Sequence, residues 1–181
     1  MKSQGFFSNL FNRWFTKPPV DSPVNPPIDP PVTPPESDHI HQLLALHNGA
    51  RRYPLSLNDQ LHVAAQKHAE WMARNNKMSH EGEGFSSFWT RIKKAGYNPQ
   101  TGGENVAMGY PTVTAVFKGW MNSRGHHANI VNSSYKEVGF GVATSKNGSK
   151  YWCANFGTQM NSNNTTDLIE EWLPGPLFNP E

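Results

Sequence analysis

Between Asp59 and Asn76 the residues Leu61, Ala64, Ala65, His68, Ala69 and Met72 recur at three- and four-residue spacing, so one face of a helix is apolar. Asn58 stands where its side chain can cap the first turn. The same period, with Ile40, Leu43, Leu44 and His47 on one face, predicts a helix over roughly 39–52, capped by Ser37 or Asp38 and ended by Pro54. A shorter helix is expected over 85–95, closed by Gly96. Another is expected over 112–123, carrying Val113, Val116, Phe117 and Trp120 inward and stopped by Gly125. The period then changes from about 3.6 to 2. EVGFGVAT and KYWCANFG flank SKNGS, whose Asn147-Gly148 pair can supply the positive φ values of a tight hairpin turn. Helices first and strands later predict an α+β domain in which helices cover a small antiparallel sheet.

The ends of the chain read differently. Residues 1–17 place Phe6, Phe7, Leu10, Phe11, Trp14 and Phe15 on one helical stripe, which suits a docking or membrane-surface peptide. Ser8, Asn9, Asn12 and Arg13 interrupt that run, so it is not a standard signal peptide; a disordered end or a weak, uncleaved export signal is the alternative. Residues 18–36 form a proline-rich linker, with nine prolines among the eighteen residues Pro18 to Pro35. Such a segment adopts polyproline II and acts as a semi-rigid spacer of about 55 Å, unless its PxxP pattern serves as a ligand for another domain. The folded domain is expected over 37–160. Residues 161–181 read as an extended C-terminal tail, whose Trp172, Leu173, Leu177 and Phe178 could dock elsewhere.

Charge and composition narrow the function. With 16 Lys and Arg against 14 Asp and Glu, the net charge of +2 provides no broad field for holding a polyanion, so nucleic acid is not an expected partner. No apolar run approaches the ~20 residues that cross a bilayer, so no transmembrane segment is expected. The single cysteine, Cys153, excludes an intramolecular disulfide and reads as a small core residue.

Three strings hold the polar residues able to do chemistry: MSHEGEG around His80, GGENVA around Glu104 and WMNSRGHHANI around His126, each expected where an element ends. Two imidazoles and a carboxylate that converge can share a divalent ion such as zinc, with His80 and His126 as ligands and an open position for water. Without metal, Glu104 can orient one imidazole as a general base. A purely structural reading has the trio as a buried polar network joining loops to helix ends. Ser123, near His126 in sequence, is a weak nucleophile candidate because no GxSxG elbow surrounds it. His47, Asn48 and Arg51 read as packing and hydrogen bonding, Asn105 and Asn129 as side chains that bond loop backbones, and Trp71, Trp89, Trp120 and Trp152 as core or cleft wall. Gly102 and Gly103 lack a nucleotide-binding context.

Read in order, LLALHNGARRYPL, LHVAAQKHAEWMA, MSH, AGYNPQTGGENVAMG, VFKGWMNSRGHHANIVN, VGFGVA and YWCANFG resemble the sequence blocks of the CAP superfamily. That superfamily comprises cysteine-rich secretory proteins, venom allergens, plant pathogenesis-related proteins and bacterial SCP-domain proteins. The resemblance covers about residues 39–158 and is nearest the compact, disulfide-free bacterial or viral branch. It implies a three-layer α-β-α sandwich with a cleft holding two histidines and two glutamates. His80, Glu104 and His126 match three of these; the position of the second glutamate, three residues after Trp120, is Ser123. The resemblance implies function less sharply. A binding module for a small apolar ligand, glycan or peptide, a hydrolase of peptides or envelope polymers, and a domain tethered through residues 1–17 to a virion or cell envelope all fit it. An extracytoplasmic or virion-associated location is expected.

Overall fold

The computed structural model describes residues 36–160; the aromatic peptide 1–17, the linker up to residue 35 and the tail 161–181 lie outside the described residues. Ten elements follow in order. They are α1 (Glu36–Gly49), β1 (Ser56–Leu57), α2 (Asp59–Asn75), a 3-10 turn (Glu83–Phe85), α3 (Phe88–Lys94), β2 (Pro99–Met108), α4 (Val113–Met121), α5 (Arg124–Val131), β3 (Glu137–Thr144) and β4 (Lys150–Gln159).

Three of the helix caps lie where side-chain chemistry puts them, whereas α1 begins at Glu36, so Ser37 and Asp38 lie within the helix rather than capping it. Asn58 accepts from Leu61 N, Ser87 from Thr90 N and Thr112 from Ala115 N, each satisfying a helix amide that has no partner inside the helix. α1 stops at Gly49, five residues before Pro54, because Asn48 bonds both backbone groups of Leu55 (3.1 and 2.8 Å) and turns the chain away. The helix expected over 85–95 shortens to 88–94 behind a 3-10 turn in which Gly84 and Phe85 both have positive φ.

Gly125 does not end a helix. The break falls earlier, at Asn122–Ser123, where Ser123 is extended (φ −104°, ψ 121°), and Gly125 sits in the first turn of α5. Replacing Gly125 by Ala is therefore expected to stabilise the fold by about 0.5–1 kcal/mol, since a Cβ there meets nothing within 4 Å and Ala is the better helix former. Urea denaturation measures it; a loss of stability would contradict the helical assignment.

The four strands order as β1-β3-β4-β2. β3 pairs antiparallel with β4 and β4 with β2, while the two-residue β1 pairs parallel with β3, so the sheet is mixed rather than purely antiparallel. The hairpin turn differs in detail from the expected one: only Gly148 has positive φ (84°), and Gly148 N donates to Ser145 O as in a type I turn.

Alternation along β3 and β4 divides the molecule into three layers. Val138, Phe140, Trp152, Ala154 and Phe156 pack with Leu43 of α1, Val113, Val116 and Trp120 of α4 and Ile130 of α5. Tyr151 and Cys153 face the other way, against Ala65, Ala69 and Met72 of α2. Cys153 is thus a buried core thiol, as its apolar flanks imply. Gly139 and Gly141 let α2 lie directly on β3: a Cβ on Gly139 would stand 2.0 Å from His62 N, and one on Gly141 2.4 Å from Ala65 C.

His47 is fully buried within a box of Phe117, Trp120, Phe140 and Phe156, with ring centroids 4.9–5.9 Å away. Its Nδ1–H donates to Leu43 O (2.7 Å), while Nε2 has no partner among the described residues. Burial lowers its pKa from 6.5 to about 4, so the folded chain holds it neutral. The unfolded chain then binds the extra proton, and stability falls as pH drops from 6.5 toward 4, by roughly 3 kcal/mol from this residue. In His47→Phe that part of the pH slope disappears. Denaturation midpoints of both chains across this range measure it, and parallel slopes would contradict it.

Candidate functional site

β2 is an edge strand, and its register sets the site. Glu104 stands opposite Asn155 of β4, so its side chain shares the sheet face covered by α2. Its neighbour Asn105 points the other way, donating to His126 O (3.1 Å) and accepting from Asn129 Nδ2 (2.8 Å). Asn129 also donates to Glu104 O at 3.3 Å. These two amides anchor α5 to the strand's backbone, the geometric role their sequence context indicates. Glu104 therefore sits in the middle of a strand, not at an element's end. Nothing in the alternation of PQTGGENVAM marks that strand, because Gly102 and Gly103 interrupt it and polar residues occupy both faces.

The Glu104 side chain is 3% exposed and both oxygens are engaged. Oε2 accepts from Arg91 Nη2 of α3 (2.6 Å), and Oε1 pairs with His80 Nδ1 (2.9 Å). With its amide oriented by its neighbours, Asn155 also donates to Oε2 at 3.2 Å. Burial alone would raise the Glu104 pKa; the His80 hydrogen bond and the Arg91 charge outweigh it and hold the carboxyl below its ordinary value. Arg91 in turn donates through Nη1 to His80 O (3.0 Å) and Ser86 O (2.6 Å), so one guanidinium fixes both the carboxylate and the loop that presents the imidazole.

His80 is the exposed member, with 61% of its side chain accessible. The hydrogen bond to Glu104 raises its pKa despite partial burial. His126, half-buried in the first turn of α5, has its pKa lowered by burial and by the nearby charge of His80. His80 stands at the rim of β2 on the α2 side, near enough to His126 of α5 for its charge to lower the His126 pKa. Ser123 caps α5 without a side-chain bond, and no hydrogen bond joins it to His126 among the described residues. It is not an activated nucleophile in this arrangement.

The sequence marks His68 only as part of the inward face of α2 and gives Arg91 and Asn155 no site role. His68 is buried under the loop, with Nε2 on Ser79 O (2.8 Å), and burial lowers its pKa. Arg91 reads as one of three ordinary bases in a short helix, whereas Asn155 gives a signal: a polar residue on a strand that is otherwise buried and apolar. His47 and Asn48 pack and hydrogen-bond as described, and Arg51 does the same, donating to the carbonyls of Ile130, Asn132 and Tyr135. Trp120 and Trp152 are core, Trp71 is half-buried, and Trp89 is exposed rather than core because α3 turns it to the surface.

The donor set limits a metal. Among the described residues no group of three or more His, Cys, Asp and Glu side chains is arranged to hold an ion. Glu104 is committed to Arg91 and His80 and cannot serve as a third ligand without leaving them. His80 bonds Glu104 through Nδ1, which leaves Nε2 outside that bond, the outer-shell arrangement common to metal-binding histidines.

The layers and this cluster together define a three-layer α-β-α sandwich with a histidine–glutamate rim. The family described as "CAP: Cysteine-rich secretory protein family" matches residues 44–156, more than half of the chain, and the chain belongs to it. It is 34% identical over 92 residues to the uncharacterized protein YkwD of Bacillus subtilis and 36% identical over 89 residues to the uncharacterized membrane protein YlbC of the same organism. The first alignment covers 51% of this chain and 36% of YkwD, the second 49% of this chain and 24% of YlbC, so the chain spans about a third or less of either relative. An extracellular SCP-domain protein of Bacillus anthracis superposes with a TM-score of 0.61 at 28% identity, over 72% of this chain and 45% of that one. An outer surface protein of Borrelia burgdorferi shares the fold, with a TM-score of 0.57 at 20% identity over 66% of this chain and 89% of its own. No helix among the described residues is long and apolar enough to cross a membrane.

Proposed function

We propose that this chain is an extracytoplasmic binding module whose His80 and His126 together hold a divalent metal ion, with Glu104 and Arg91 as positioning residues. The observation that supports the reading is the commitment of Glu104: nearly inaccessible and bonded at 2.6 and 2.9 Å, it holds His80 through Nδ1 instead of acting on a substrate. A bound zinc ion would supply a Lewis acid to which an anionic or carbonyl ligand attaches. Residues His80 and His126 hold it; Glu104 selects the tautomer of His80 that leaves Nε2 free and raises its basicity.

The extracytoplasmic reading is supported by the Bacillus anthracis relative, which is named as extracellular. The proline-rich linker 18–36 and aromatic peptide 1–17 suit display at the end of a tether on a larger assembly such as an envelope or a virion, and the small apolar ligand, glycan or peptide expected from the resemblance would be met there.

Calorimetric titration of zinc into the metal-free chain tests the reading. One zinc per chain is expected, with affinity lowered about 10–100-fold in Glu104→Gln and lost in the His80→Ala, His126→Ala double variant. Equal binding by wild type and double variant would sink it. Turnover of a peptide or envelope polymer that vanishes in His126→Ala would replace it with the hydrolase reading.

A further inference from the structure

A cavity of about 720 Å³ opens between α2 and α3 under the turn Glu83–Phe85, and none of His80, Glu104 and His126 lines it. Its size lies within the ~300–1,000 Å³ of small-ligand sites. Arg91 and His68 form part of its wall, so it backs onto the buried side of the Glu104 cluster while opening elsewhere. We propose that this cavity binds an acidic saccharide, a short run of carboxylate-bearing sugar rings. The inference stands apart from the metal reading of His80 and His126.

Three features carry it. The first is aromatic surface. Trp71 lines the cavity, with one ring face against His68 (centroids 5.8 Å apart, planes at 9°) and its indole N–H without a partner among the described residues. Phe85 lines it too, 86% exposed and at φ 57°, a left-handed conformation that is costly for a phenylalanine. A strained turn that holds an apolar ring in water at the mouth of a cavity is poor for stability and suited to stacking against a ligand ring.

The second is charge. Lys67 from α2 and Lys94 from α3 enter from opposite walls, and neither has an ion-pair partner among the described residues. Two free ammonium groups facing one space favour a ligand with carboxylates. Glu83 adds an acceptor for hydroxyl groups, and Arg74 remains a donor beside its loose 3.9 Å pair with Glu70.

The third is the nature of the walls. Both are helices whose backbone amides and carbonyls bond internally, so an extended peptide would leave its own backbone groups unpaired, whereas sugar hydroxyls can pair with the charged side chains.

The test titrates trigalacturonic acid into the full chain, with maltotriose as the neutral sugar and triglutamate as the non-sugar polyanion. Trigalacturonic acid is expected to bind more tightly than either. Its affinity should fall about tenfold in the Lys67→Ala, Lys94→Ala double variant and about fivefold in Phe85→Ala, an exposed position whose loss does not unfold the chain. The His80→Ala, His126→Ala variant should bind it unchanged. Tighter binding of triglutamate, or of a peptide spanning the acidic residues 165–173, would overturn the sugar in favour of a peptide occupant. Equal affinity for maltotriose would remove the role of the lysines, and loss of binding in the histidine variant would move the site to the rim of β2.

Discussion

Arg91→Leu is expected to destabilise the folded chain by about 3–5 kcal/mol, among the largest losses from any single side chain near the site. The cause is not a surface ion pair, which would contribute ~0–1 kcal/mol. Glu104 is 3% exposed and Arg91 11%, so removing the guanidinium strands a desolvated carboxylate and also releases the carbonyls of His80 and Ser86. Glu104→Gln should cost much less, about 1 kcal/mol, because an amide oxygen can still accept from Arg91. The double variant Arg91→Leu, Glu104→Leu should recover part of the loss, since no charge is left buried without a partner. Urea denaturation of the three variants reads the ordering; a single Arg91→Leu loss below about 1 kcal/mol would show that the carboxylate is not held as described.

Gly139→Ala is expected to cost at least about 3 kcal/mol, through backbone rather than side-chain collision. The added methyl would lie 2.0 Å from His62 N and 2.2 Å from Leu61 C, so α2 as a whole must move off β3. Such a shift also disturbs the site. α2 carries His68 and leads into the loop of His80, and Asn155 lies beneath it beside Glu104. Gly139→Ala should therefore weaken zinc binding although residue 139 lies two strands from β2. Thermal melting and zinc calorimetry on one preparation measure both effects, and an undisturbed melting temperature would contradict the direct contact of helix and sheet.

Much of the architecture is legible in the chain because burial imposes strict periods. Helix α2, with Asn58 as its cap and Leu61, Ala64, Ala65, Ala69 and Met72 facing inward, needs no tertiary information to be seen. Likewise β3 and β4, joined through Asn147-Gly148, show themselves by alternation. β2 hides because an edge strand packed against two different layers puts Glu104 on one face and Asn105 on the other, and its glycines leave no apolar rhythm. Gly125 misleads for a different reason: the chain turns at Ser123, where no strong breaker stands, and the glycine is carried into the helix that follows.

The site divides along the same line. His80, Glu104 and His126 are visible through their family blocks, and the structure joins the first two by a hydrogen bond while His126 approaches from the opposite layer. Arg91 is invisible in sequence because its importance comes from the desolvation of its partner, a property of the folded arrangement alone.

The central claim is that buried Glu104, held by Arg91, fixes His80 and raises its proton affinity, with His126 close by. An NMR titration of the histidine rings tests it most directly. The account predicts that His80 protonates above the ordinary histidine value of 6.5 and His126 below it, and that in Glu104→Gln the His80 titration moves down. A His80 ring that titrates at or below the ordinary value, unchanged by Glu104→Gln, would contradict it.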